Sequence, residues 1–232
     1  MKLRWLGHSA FELISNNNLN ILIDPFIRGN PSCPLKINDL NPDVICITHG
    51  HADHFGDAIE LTRKSDAIVI TNYEISIYLQ REGINAIGIN YGAFVEIQDV
   101  KIKMLEAKHS SSFDFNIEGG YAGNPASFLL EFKDDLKIFH AGDTSLFSDM
   151  KFVIGEVYKP DIAMLPIGNI FTMDPIDAAI ATKWINSKYV IPMHYNSFPS
   201  IMQNPESFKS LVKKHAPNCE TLIPDVLEFI EF

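Results

Sequence analysis

Cysteine is scarce in this 232-residue chain, and the three present, Cys33, Cys46 and Cys219, are odd in number, far apart and without a C-x-x-C pair. That pattern excludes a disulfide framework and a zinc knot built from thiolates. Cys46, inside the apolar run Val44 to Ile47, reads as a small core residue. Long apolar runs are missing as well: nothing approaches the roughly 20 residues of a membrane span, and the opening MKLRWLGHSAF has basic residues without the apolar segment of a signal peptide. The expectation is a cytoplasmic protein with no membrane partner. Positive charge is also in deficit, with 19 Lys and Arg against 29 Asp and Glu and a formal net charge of -10. A field of that sign repels polyanions, so nucleic acid is an unfavourable partner.

Hydrophobic residues make up 46% of the chain, enough to bury a sizeable core, and the expectation is a single domain over residues 1–232. Short β-branched apolar runs recur: Lys2 to Leu6, Phe11 to Ile14, Leu19 to Ile23, Val44 to Thr48, Ala67 to Ile70, Phe94 to Ile97 and Val100 to Leu105. They continue with Ser127 to Phe132, Lys137 to His140, Asp161 to Leu165, Tyr189 to Pro192 and Val226 to Glu231, and polar turns separate several of them. Helical patterns interleave at Asp57 to Lys64, Asn72 to Glu82, Pro175 to Ser187 and Pro205 to His215. The third has Asp174 at a capping position and Pro175 in the first turn. Strands first, then strands and helices in mixture, suit an α/β sandwich of two mixed sheets packed face to face under outer helices.

Only eight histidines occur in the chain, yet three fall with an aspartate in the six residues His49 to His54 of ITHGHADHFGD, directly behind an apolar strand. His49 and His51 are two apart, so in extended chain both side chains project to one side and can grip one ion. Asp53 and His54 lie in the turn into the next helix, where the changed backbone direction can aim them at a second. Imidazole and carboxylate without thiolate suit zinc, manganese, iron or nickel. Further ligands are sought where other strands give way to loops: His109 after Val100 to Lys108, Asp143 in FHAGDT and His194 in VIPMHY. Taken alone, Asp143 before Thr144 could equally cap a turn.

Together these segments resemble the metallo-β-lactamase superfamily over nearly the whole chain. THGHADH resembles its H-x-H-x-D-H signature, and Asp24 in LIDPF, the signature, His109, Asp143 and His194 follow the order of its five motifs. The resemblance implies a four-layer αββα sandwich, with His49, His51 and His109 on one metal, Asp53, His54 and His194 on the other, Asp143 bridging, and Asp24 in support. More narrowly, WLGHSAF, AGDT, PIGNIFTMDP and MHYNSFP resemble the uncharacterised small metal-dependent hydrolases of bacteria and archaea, a group similar to the ascorbate-6-phosphate lactonase branch. There a Gly-His-Ser near the chain start lies by the metals, which makes His8 a catalytic candidate, as a support or a substrate-facing residue. The alternative for His8 is a strand-end histidine bonded to a backbone carbonyl.

The reaction expected is hydrolysis. Two divalent ions, zinc foremost, share a water and bring its pKa toward neutrality, and Asp53 orients the nucleophile. With two carboxylates and a hydroxide, the site keeps a net charge of roughly +1 and draws an anionic small molecule: an ester, lactone, thioester or phosphoester. The competing functions are a phosphodiesterase or nuclease and a metal-dependent anion binder or sensor without turnover. A homo-oligomer is compatible with the sequence. Residues 169–173 and 110–126 are candidate substrate-facing loops. His140 is read as packing or support, and His215 as a solvated histidine favourable to the end of its helix. The serine of GHSAF lacks a nucleophile elbow.

Overall fold

A computed structural model of the full chain describes residues 1–115 and 119–232. Its elements, in chain order, are β1 Lys2–Trp5, β2 Phe11–Ile14, β3 Asn20–Ile23, β4 Val44–Cys46, α1 Ala52–Phe55, α2 Ala58–Ser65, β5 Ile68–Asn72, α3 Tyr73–Arg81, β6 Ala86–Ile89 and β7 Phe94–Ile97. Then follow β8 Val100–Glu106, β9 Ala126–Phe132, β10 Lys137–His140, a π-helix over Met150–Tyr158, β11 Ile162–Pro166, α4 Pro175–Ile185, β12 Tyr189–Met193, α5 Pro205–His215, β13 Glu220–Thr221 and β14 Phe229–Glu231.

The strands form two sheets of seven, ordered β14-β1-β2-β3-β4-β5-β6 and β13-β12-β11-β10-β9-β8-β7. Each is mixed: β1, β2 and β3 pair antiparallel while β3 to β6 run parallel, and β7 to β10 pair antiparallel while β10 to β13 run parallel. Parallel neighbours need crossovers, and here helices supply several of them, which puts helices on the outer faces. Two buried clusters result. The larger joins inward residues of both sheets, among them Leu3, Phe11, Ile21, Phe128, Leu130, Ile138 and Met164. The smaller joins Leu22, Ile45 and Val69 to Leu61, Ile75 and Leu79 of α2 and α3. This is the αββα sandwich that the strand and helix pattern predicts, and no described helix is long and apolar enough to cross a membrane.

The expected helices form with small changes at their ends, and Asp174 caps α4 by accepting from the backbone N–H groups of Ile176 and Asp177. Four of these elements go beyond the sequence reading: β6, β13, the π-helix and α1, a single helical turn over Ala52–Phe55 where a turn into the next helix was expected. β6 and β13 are short, and β6 has a glycine in place of a packing side chain. The π-helix, MKFVIGEVY, mixes β-branched residues with Gly155, which weakens any helical signal. That glycine is needed for close approach, since a Cβ there would lie 2.2 Å from the Trp184 carbonyl oxygen of α4. Tertiary packing, not local propensity, makes this helix.

Candidate metal centre

Every histidine and aspartate expected at the site lies at one edge of the sandwich, where strands of both sheets end. β4 ends at Cys46 and the chain continues through His49 to His51, the residue preceding α1. In that turn Gly50 lets Ser112 and Ala122 pack closely, because a Cβ would meet the Ala122 side chain at 2.3 Å and the Ser112 carbonyl at 2.9 Å. Asp53 and His54 lie on α1 itself. From the opposite sheet come His109 beyond β8, Asp143 beyond β10 and His194 beyond β12.

The potential ligand atoms gather in three overlapping sets, each within 4.8 Å: His49, His51 and His109; His49, His54 and Asp143; and His8, Asp53, His54 and His194. Asp143 stands between the sets. Its Oδ1 is 3.3 Å from His54 Nε2, and its Oδ2 is 3.0 Å from His194 Nε2 and 3.6 Å from His109 Nε2. Two of these atoms, His54 Nε2 and Asp143 Oδ1, are fully buried yet have no hydrogen-bond partner among the described residues. Buried polar atoms without partners are costly, and two that converge with neighbouring imidazoles fit a cation as the missing partner.

Asp24 fixes which nitrogen of two histidines turns its lone pair into the cluster. As a carboxylate it can only accept, so Thr48 Oγ1 (2.7 Å) donates to it and must in turn accept from His49 Nδ1 (3.0 Å). His49 Nε2 is then the lone-pair atom. Asp24 Oδ2 also accepts from His54 Nδ1 at 2.7 Å, which leaves His54 Nε2 for a ligand. The support expected of Asp24 takes this concrete form, with Thr48 as its relay. Thr48 was hidden in the sequence because a threonine beside a metal motif carries no signal of its own.

His8 is fully buried and makes both of its ring bonds: Nε2 donates to Asp53 Oδ2 at 3.1 Å, and Nδ1 accepts from the Ser197 hydroxyl at 2.8 Å. It therefore sits beside Asp53 rather than on a backbone carbonyl. Ser197 escaped the sequence reading, although it lies in MHYNSFP. His140 is buried and neutral in the same way. Its Nδ1 accepts from the Gly142 amide at 3.1 Å and its Nε2 donates to the Ser9 carbonyl at 2.9 Å, which ties the loop bearing Asp143 to the loop bearing His8.

Three residues of this region, His8, Asp24 and His194, have positive φ angles of 55°, 47° and 54°. Left-handed backbone on non-glycine residues is uncommon and costs on the order of 1–3 kcal/mol each. The loop 169–173 shares this feature at Asn169 (62°) and Ile170 (47°), and it packs beside the cluster, with the Met173 amide donating to the Thr144 carbonyl. Of the other candidate loop, residues 116–118 lie outside the described residues. The Ala52 amide, however, donates to Asp114 in that loop at 2.7 Å.

Electrostatics follow the geometry. Burial opposes charge on His54, but Asp143, Asp24 and Asp53 outweigh it and hold the metal-free imidazole well above its ordinary pKa. Burial pushes His49 well down and His8 down to about 4. Burial alone would raise Asp143 and Asp53; their neighbours, His194 and His54 for the first, His54 and His8 for the second, hold both below the usual carboxylate range. The three carboxylates around His54 thus favour positive charge at this point of the cluster.

A family model described as "Beta-lactamase superfamily domain" matches residues 2–194. The chain belongs to the β-lactamase superfamily. Within it, a protein named UPF0173 metal-dependent hydrolase from Methanobrevibacter smithii is 53% identical over 232 residues, covering all of this chain and 97% of its own length. Among solved structures, Igni18, a metallo hydrolase from Ignicoccus hospitalis, superposes with a TM-score of 0.89 at 37% identity, covering 100% of this chain and 98% of its own. At 13% identity the fold also recurs in CmlA, a diiron β-hydroxylase from Streptomyces venezuelae (TM-score 0.77), of which this chain spans 54%. The same fold therefore occurs in proteins named for different chemistry, and the reaction has to be argued from the site.

Proposed function

We propose that this protein is a metal-dependent hydrolase with two cations side by side, held by His49, His51 and His109 on one position and by Asp53, His54 and His194 on the other, with Asp143 between them. Membership of the superfamily and the full-length metal-dependent hydrolase relatives support the reaction class. The observation that carries the two-ion reading is Asp143, whose two oxygens face histidines from both sets. Zinc is the favoured ion, with manganese, iron and nickel compatible with the same nitrogen and oxygen donors.

When bound, such a pair of cations supplies Lewis acidity and a water acidified toward neutral pH. The chain's own residues do the rest. Asp24, directly and through Thr48, engages Nδ1 of His54 and of His49, so that Nε2 of each is the atom turned inward toward a cation. His8 donates to Asp53 Oδ2, so one carboxylate oxygen is held while the other stays available. Asp53, with its side chain 32% exposed, is the carboxylate of the cluster that solvent reaches, which places it to accept a hydrogen bond from an attacking water and pass the proton outward. Small esters, lactones, thioesters and phosphoesters all present the polarisable oxygen this arrangement requires.

Elemental analysis of the purified protein, coupled to hydrolysis assays with and without chelator, tests this reading. Two ions per chain and chelator-sensitive turnover are expected. One ion per chain at full activity overturns the two-ion assignment, and full activity after chelation overturns the metal dependence.

A further inference from the structure

Solvent reaches the cluster at Asp53 and at the partly exposed His51 and His109; the remaining members are buried. A substrate therefore comes in over these residues, and the wall beside Asp53 is aromatic. Because both nitrogens of His8 are engaged, the rest of its ring is an apolar surface. Phe26 and Phe198 meet that ring edge-on, at centroid separations of 5.7 and 5.6 Å and angles of 78° and 73°. The two phenylalanines also stack on each other at 6.3 Å and 30°. Phe26 is buried at 9% exposure and backs the wall, while Phe198 is 36% exposed and leaves apolar ring surface open at the mouth.

The wall is tied to the chemistry by sequence. Phe26 lies two residues after Asp24, and Phe198 follows Ser197, the partner of His8, four residues after His194. Any change that repositions the wall also disturbs the groups beneath it. Among the described residues, no lysine or arginine pairs with a cluster side chain, and Arg28, two residues from Phe26, is engaged by Glu60. Among the described residues, this side of the mouth offers a ring face, and the cation nearest to it in sequence, Arg28, is turned to Glu60.

We infer that Phe198, backed by Phe26 and His8, forms a subsite for a planar apolar group next to the scissile bond, so that the substrate is an aryl- or arylalkyl-bearing ester, lactone or thioester rather than a sugar phosphate. This rests on the hydrolase reading above. A ring on Phe198 gains the area it covers and an aromatic contact, which together amount to about tenfold in affinity.

The test uses metal-loaded full chain and titrates phenylacetate, cyclohexylacetate and acetate, the acid products of ester cleavage, by ligand-observed NMR. Phenylacetate is expected to bind about tenfold tighter than acetate, with that ratio falling below about threefold in Phe198→Ala. Should the alanine variant lose metal, Phe198→Leu decides instead: it keeps the bulk, and the preference for phenylacetate over cyclohexylacetate is expected to vanish. An unchanged ratio in a metal-loaded variant overturns the subsite. Failure of the hydrolase reading looks different, because a protein that binds phenylacetate through Phe198 yet turns over no ester or thioester at any metal loading refutes catalysis and leaves the subsite standing.

Discussion

The two sides of the candidate metal centre are built differently. His49, His51 and His109 make a side of three imidazoles, two of them partly open to solvent, with no carboxylate of its own. The other side brings Asp53, His54 and His194 together with His8, backs His54 with the buried Asp24, and is nearly closed except at Asp53. Asp143 belongs to both. The comparison teaches where affinity and reactivity divide: a side with more carboxylates around it holds a cation, or a proton, strongly, whereas a neutral, more open side has less to lose when its ion leaves.

The variant that should break both sides at once is Asp143→Ala. Metal content should fall at both positions and kcat/KM by about a thousandfold or more, the rate equivalent of the several kcal/mol that Lewis-acid polarisation supplies; elemental analysis with steady-state kinetics checks this. Asp24→Ala should strike the carboxylate-rich side first. Without its acceptor His54 loses its fixed tautomer, and metal affinity measured by competition with a chelator should drop roughly 10- to 100-fold.

Acid sharpens the contrast. Asp143, Asp24 and Asp53 hold His54 well above its ordinary pKa in the metal-free chain, so a cation binding there competes with a proton. Apparent affinity should therefore fall as pH drops, by about tenfold per pH unit for each proton that the cation displaces. Calorimetry in buffers of different ionisation enthalpy counts the protons, and zero release at pH 7 would contradict the assignment. The smallest effect is expected from Ser197→Ala, which removes the donor to His8 Nδ1. Metal content should be unchanged and kcat lowered by about five- to tenfold, the worth of one hydrogen bond of about 1 kcal/mol.

Much of this architecture was legible in the sequence because the relevant signals are local. Alternating apolar runs mark β1, β2 and β8, the Asp174-Pro175 pair marks the start of α4, and the His49 to His54 segment places four polar side chains by short-range geometry alone. What stayed hidden depends on contacts far apart in the chain. The Thr48 relay, the Ser197 to His8 bond spanning 189 residues and the His140 tie to Ser9 spanning 131 residues leave no trace in spacing. β6 and the π-helix were equally silent, because their glycines serve neighbours and not the element itself.

The left-handed backbone at His8, Asp24 and His194 has a further consequence. Glycine adopts that conformation without strain, yet at these positions it would also delete a buried side chain of the cluster, so the backbone strain is retained together with the side chains that need it, and selection for thermal resistance alone does not weigh what those side chains are for. Laboratory evolution toward hardiness has to screen for turnover in every round, or it will erase the part worth keeping.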